Sequence, residues 1–187
     1  MIKTRPNFAQ NEIVRGNLMR TRWGFLAIAF GGSSVVALEL PAPSEEATRK
    51  RLEQRCGPIK WVEKAFPGVA NLLVRYFEGD PVSFHKIKID PPNATPFCLE
   101  VWKKLRAIPF GGLVTYGELA AMLGRPRAAR AVGAAVGANP IPLIIPCHRV
   151  VQSGGKLGGF SAPDGIRCKK RMLELEGHRL KSGRIMK

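Results

Sequence analysis

The chain has 187 residues, 45% of them apolar, enough to bury one large core or two small ones, which excludes a wholly disordered protein. Lys and Arg number 30 against 14 Asp and Glu, a formal net charge of +16, so a polyanionic partner is the first class to test, with anionic lipid, the ribosome and the surface chemistry of a thermophile open beside nucleic acid. The apolar stretch at residues 23–30 is far shorter than the ~20 residues of a membrane span and no signal-peptide pattern opens the chain; a soluble cytoplasmic protein is expected, nuclear if the source is eukaryotic.

In chain order, residues 25–30 and 34–40 read as two strands flanking Gly31 and Gly32, a pair that tolerates the positive φ of a hairpin turn. Ser44 with Glu45 and Glu46 opens a helix that stops at Gly57. A second helix runs from Pro67 to Glu78 and stops at Gly79, and residues 83–89 look like a further strand. Residues 1–90 therefore predict an α+β domain without a reactive cluster, a scaffold. Asp90, Pro91, Pro92, Asn93 and Ala94 form a turn-rich connector, and residues 91–187 predict a second, mainly α-helical domain.

That second half opens with Thr95 as a helix cap and Pro96 at the first helical position, with Phe97, Val101, Trp102 and Leu105 at helical spacing. Thr115 and Glu118 have the spacing of a capping box and start a short helix ending at Gly124. Pro126 starts another, from Arg127 to about Val136, built almost wholly of Ala, Val and Gly. Two short helices joined by a Gly-containing turn predict a helix-turn-helix; a buried helix packed through its alanines is the alternative. Arg127 and Arg130 favour the first, since small side chains let a helix approach a sugar-phosphate backbone while an arginine reaches phosphate or base stack.

The densest signal lies at residues 141–151, where Cys147, His148 and Arg149 interrupt an apolar run that should be buried. A thiol is a weak nucleophile until deprotonated, and an adjacent histidine as base with an arginine as fixed cation supplies the means. Neighbours in a strand point apart, so Cys147 and His148 meet only if the chain turns there, as Pro146 allows. An inert core thiol beside a structural histidine is the alternative for such a dipeptide. Cys56, Cys98, Cys147 and Cys168 show no CxxC spacing, and with His85, His148 and His178 the only histidines, neither a disulfide scaffold nor a metal site is expected. Lys169, Lys170 and Arg171 read as a solvated helix face.

Pro146-Cys147-His148-Arg149-Val150 resembles the active-site signature of the O6-alkylguanine-DNA alkyltransferases. The similarity extends from Phe97 through Gly177 and includes Val114-Thr115-Tyr116, residues 127–133, Asn139-Pro140 and Leu175-Glu176-Gly177. It implies a monomer, acting without cofactor or metal, that binds the minor groove of double-stranded DNA containing O6-alkylguanine and takes the alkyl group irreversibly onto Cys147. Arg130 matches the arginine that fills the gap left by a flipped nucleotide, and Tyr116 the residue that assists flipping and donates to guanine N3. Ala129, Ala131, Gly133 and Arg127 fall on the DNA-facing surface. His148 matches the base acting through a water, Glu176 its orienting acid, Asn139 the brace of the active-site turn, and Val150 and Ser161 contacts to the base. Phe160 stands where many members carry a tyrosine.

Three rivals follow. Alkyltransferase-like lesion binders lack the cysteine that stands here at 147. Fused transcription regulators carry an N-terminal zinc cluster that these cysteines do not form. A cysteine hydrolase needs an oxyanion hole that nothing in the sequence suggests.

Overall fold

The computed structural model describes residues 13–63 and 66–186. The chain divides into two compact units, Met1–Asn93 and Ala94–Lys187. None of the helices among the described residues is long and apolar enough to cross a membrane.

The N-terminal unit is a four-stranded sheet with two helices. The strands are β1 (Arg15–Thr21), β2 (Gly24–Gly31), β3 (Ser34–Ala42) and β4 (Lys60–Trp61), in the order β3-β2-β1-β4. Pairing is antiparallel throughout except for β4, which lies parallel to β1. Leu26 to Phe30 in the central β2 are at most 1% exposed, so this strand is buried on both faces and reads as a continuous apolar run. Helix α1 (Glu45–Cys56) starts where the Ser44 hydroxyl accepts from the Ala47 amide, and its Leu52 and Cys56 pack with Ala27, Ala29, Val36 and Ala37. Helix α2 (Pro67–Glu78) ends at Gly79, whose φ of 101° is open to glycine.

One expectation in this unit needs correction, and one strand was not expected. Residues 83–89 form no strand: one bridge, Val35 to Ile89, joins them to the sheet, and the Ile87 amide turns back to the Phe84 carbonyl. The alternation there is real, since Val82 and Phe84 are buried, but it belongs to an extended segment pinned at one point beside β3. Strand β1 went unread because its polar Arg15, Asn17, Arg20 and Thr21 mask the pattern; Asn17 and Thr21 are nonetheless buried.

The C-terminal unit carries 16 of the 30 basic residues and only 5 of the 14 acidic ones. Its main helices are α3 (Pro96–Arg106), α4 (Tyr116–Met122), α5 (Ala129–Gly137) and α6 (Ile166–Leu175). Short pairs complete it: β5 (Val114–Thr115) runs parallel to β6 (Val150–Val151), and β7 (Leu180–Lys181) forms a hairpin with β8 (Arg184–Ile185). Thr95 caps α3 with Pro96 at its first position, and the Trp102 indole donates to the Ala135 carbonyl at 2.9 Å, tying α3 to α5. The capping box of α4 forms in full, the Glu118 amide donating to Thr115 Oγ1 and the Thr115 amide to Glu118 Oε2. Helix α5 begins two residues later than its composition suggested. The Ala128 amide closes a turn on the Arg125 carbonyl, which leaves Arg127 on the connector rather than on the helix.

The candidate active site

Residues 141–151 are buried almost throughout and the chain turns sharply within them. The Cys147 amide donates back to the Ile145 carbonyl at 2.7 Å and the Arg149 amide to the Pro146 carbonyl at 3.0 Å, so Cys147–Arg149 is a single 3-10 turn. Asn139 fixes the approach to it. Its Nδ2 donates to the Ile145 carbonyl at 2.8 Å and its Oδ1 accepts from the Ile141 amide at 2.9 Å, closing the loop from both ends. That closure holds Leu143 at a φ of 73°, a conformation that a branched side chain adopts only where its surroundings impose it.

Glu176 caps the end of α6 and is the hub of the buried polar network. Its Oε1 accepts from His148 Nε2 at 2.8 Å and from Arg149 Nη2 at 2.8 Å; its Oε2 accepts from Arg149 Nε at 2.9 Å and from the Gly111 amide at 3.1 Å. Arg149 Nη1 spends its remaining reach on the Ile108 carbonyl at 2.7 Å. Burial alone would raise the Glu176 carboxyl, but His148 and Arg149 outweigh it and hold it well below the usual carboxylate range. Burial also pushes the His148 imidazole down, against the pull of Glu176. The network is therefore an anionic carboxylate beside a neutral imidazole whose Nε2 proton points at it, which makes Nδ1 the basic nitrogen.

Cys147 is 6% exposed, and burial pushes its thiol up. Opposing that shift are a hydrogen bond from Asn139, the charge of Lys169, and the amides of Cys147 and His148. The fixed cation near the thiol is thus Lys169, and Arg149, which the dipeptide logic cast in that part, is committed to Glu176. This also corrects the reading of Lys169 as part of a solvated face. Lys169 is fully buried, its Nζ donating to the Val150 carbonyl at 2.6 Å and to the Leu157 carbonyl. Desolvation brings its pKa down to about 8. The spacing held the signal: Lys169 precedes Met172 by three residues and Glu176 by seven, which puts all three on one helical face.

Tyr116 opens α4 and stands close to this cluster. The β5–β6 pairing sets Thr115 beside Val151, and burial together with the nearby Cys147 raises the phenol's pKa. A Cβ added to Gly158 would lie 3.4 Å from the Tyr116 hydroxyl, and one added to Gly133 of α5 would lie 3.8 Å from its ring. Val150 is fully buried and Ser161 is exposed. Arg127, Arg130 and Ala131 are exposed and Ala129 half-buried, while Val132, Ala135 and Val136 face inward. Among the described residues no group of three or more His, Cys, Asp or Glu side chains is arranged to hold a metal.

Residues 96–178 match the model of the 6-O-methylguanine DNA methyltransferase DNA-binding domain. A methylated-DNA–protein-cysteine methyltransferase of Salmonella typhimurium is 47% identical over 113 residues, 60% of this chain and 64% of that protein, so the match spans under two thirds of that relative. The protein of the same name from Mycobacterium bovis is 40% identical over 156 residues, covering 83% of this chain and 88% of the relative. The crystal structure of Mycobacterium tuberculosis OGT in complex with DNA superposes with a TM-score of 0.72 at 37% identity, covering 87% of this chain and 92% of that one. The chain belongs to the methylated-DNA–protein-cysteine methyltransferase family.

Proposed function

We propose that the protein repairs double-stranded DNA by transferring the alkyl group of an O6-alkylguanine to Sγ of Cys147, once per molecule. The observation that carries this reading is the buried Cys147 turn joined to the His148–Glu176–Arg149 network. A buried thiol is held neutral, so it needs a base in place; an anion formed there lacks the hydration that would blunt it. His148 Nδ1 takes the thiol proton through an intervening water while Glu176 holds the ring by Nε2. The Sγ–carbon bond forms as the carbon–O6 bond breaks, and the thiol proton in effect replaces the alkyl group on guanine. No cofactor enters the balance. Tyr116, whose raised pKa keeps its proton in place, donates toward guanine N3 as the base departs. Val150 and Ser161 are assigned to the base, Asn139 to bracing the turn. A thioether is not readily reversed, which makes the reaction stoichiometric.

Helices α4 and α5 serve as a helix-turn-helix directed at the minor groove. Support comes from the character of α5: the exposed Arg130, Ala131 and Ala134 lie opposite its buried Val132, Ala135 and Val136. With the half-buried Ala129 and Gly133 they form a low surface suited to close approach, and Arg130 is the side chain long enough to enter the stack when the damaged nucleotide is extruded. Arg127, on the connector, is assigned to phosphate. The N-terminal unit acts as a scaffold, the protein works as a monomer, and it resides in the cytoplasm.

Incubation with an O6-methylguanine duplex followed by peptide mass spectrometry tests the reading, with Cys147→Ala alongside. One methyl on the Cys147 peptide and one repair event per molecule are expected. Lesion binding with no mass change makes the protein a recognition module instead.

A further inference from the structure

The segment after residue 178 lies beyond the matched family domain and folds into the β7–β8 hairpin. Its turn has positive φ at both central residues, Ser182 at 51° and Gly183 at 73°, a turn whose twist fixes the register of the two strands. In that register Lys181 stands opposite Arg184. Arg184 is bridged in turn, antiparallel, to Lys156 of the loop that follows β6. Residues directly opposite one another share a face, so Lys156, Arg184 and Lys181 form one row of cations across three adjacent segments.

Like charges directly opposite each other oppose folding. All three side chains are exposed, and none has an ion-pair partner among the described residues. The row is also held firmly. The Leu157 amide approaches the Gly183 carbonyl, the Met186 amide donates to the Arg179 carbonyl at 2.8 Å, and Gly155 packs so close to Ile185 that an added Cβ would sit 3.2 Å from its carbonyl oxygen. Leu157, next to Lys156, is the residue whose carbonyl Lys169 grips. The row is therefore tied by backbone contacts to the loop that follows β6, the loop whose Leu157 carbonyl Lys169 holds.

We infer that Lys156, Arg184 and Lys181 form a phosphate-binding row that extends the DNA contact beyond the helix-turn-helix and grips the duplex backbone. The inference rests on the duplex-DNA reading above. A polyanion neutralises all three charges at once, and the spacing of adjacent strands, about 4.8 Å, lets neighbouring cations share one strand of closely spaced phosphates.

The test is a salt titration of affinity for an undamaged 20-base-pair duplex, comparing wild type, Lys156→Gln/Lys181→Gln/Arg184→Gln, and a control losing as much charge from exposed positions of the N-terminal unit, Lys50→Gln/Lys86→Gln/Lys88→Gln. Each lost phosphate contact lowers the slope of log affinity against log salt by about 1, so the row variant should lose about 2 to 3 and the control well under 1. A row variant whose slope matches wild type, or falls no further than the control, overturns the inference while leaving the duplex reading intact. Failure of wild type itself to bind the duplex removes both. Should the triple variant melt below wild type, Arg184→Gln alone, at the centre of the row, is read in the same titration, where a loss of about 1 is expected and no loss is fatal.

Discussion

Arg149 grips Glu176 with two parallel bonds, Nε to Oε2 at 2.9 Å and Nη2 to Oε1 at 2.8 Å, inside a site where the carboxylate side chain is wholly buried. A guanidinium fork on a carboxylate is the geometry that best repays desolvation of both charges. It also fixes the one carboxylate oxygen that His148 uses. In the proposed reaction, alkyl transfer and stability therefore depend on the same pair. Glu176→Gln keeps the shape but strands the buried guanidinium; a loss of about 3–5 kcal/mol in denaturant unfolding is expected. Single-turnover alkyl transfer should fall at least ~10-fold, as the imidazole loses the anion that orients it. Unchanged stability would mean that Arg149 finds another partner.

The same network sets how stability depends on pH. His148 has a lowered pKa in the folded protein, so below about pH 6.5 the unfolded chain takes up a proton that the folded state refuses, and stability falls as pH drops. Glu176 is depressed as well, and its contribution, full above about pH 4.3, is lost as acid protonates it in the unfolded chain first. Denaturant midpoints measured from pH 7 to pH 3.5, below the range in which the folded protein's Lys169 titrates, should show a decline beginning near pH 6.5 and a steeper decline near pH 4. His148→Gln should remove the first decline and keep the second.

Legibility in the sequence followed how local each signal was. The cap of α1 by Ser44, the box of Thr115 and Glu118, and the ends of α1 and α2 at Gly57 and Gly79 rest on contacts within a few residues, and each formed as read. The strand expected over 83–89 failed because alternation reports burial and not pairing. The start of α5 was misplaced because Pro126 suits a turn as well as a first helical position. At the site, Cys147 and His148 are adjacent and visible, whereas Glu176 reaches His148 across 28 residues and was found by resemblance alone. Lys169 was lost at the head of a basic run whose Lys170 and Arg171 are exposed, its register toward Met172 and Glu176 outweighed by the run of charge.

Arg130 is exposed on α5 and has no ion-pair partner among the described residues, so its removal should leave the fold within about 0.5 kcal/mol of wild type. If it fills the base stack, Arg130→Ala raises the cost of extrusion, and a loss of 1.4–2.8 kcal/mol is a factor of about 10 to 100 in the rate on duplex DNA. Reaction with the free base O6-benzylguanine involves no stack and should stay within about twofold. Rates measured side by side on the two substrates decide it: equal losses on both would place Arg130 in the chemistry rather than at the duplex.

Lys169 allows a sharper test, because its charge and its hydrogen bonds act on different observables. Its two carbonyl partners lie on the strand leaving the Cys147 turn and on the loop that follows it, and its charge lowers the thiol's pKa. Lys169→Met keeps the bulk and removes both. The orphaned carbonyls cost about 1–3 kcal/mol each, less whatever is regained by no longer burying an amine, so a modest net loss of stability is expected. Reactivity separates the roles. Iodoacetamide labelling read by mass spectrometry on the Cys147 peptide reports that thiol separately from Cys56, Cys98 and Cys168. In wild type the lysine, with its pKa near 8, loses its charge over the interval in which rising pH favours thiolate, so the labelling rate should climb less than tenfold per pH unit. Lys169→Met should label more slowly at pH 7, with its midpoint at higher pH and a full tenfold rise per unit below that midpoint. Profiles that overlay would confine Lys169 to holding the two carbonyls, and the thiolate would then depend on Asn139 and the amides of the turn.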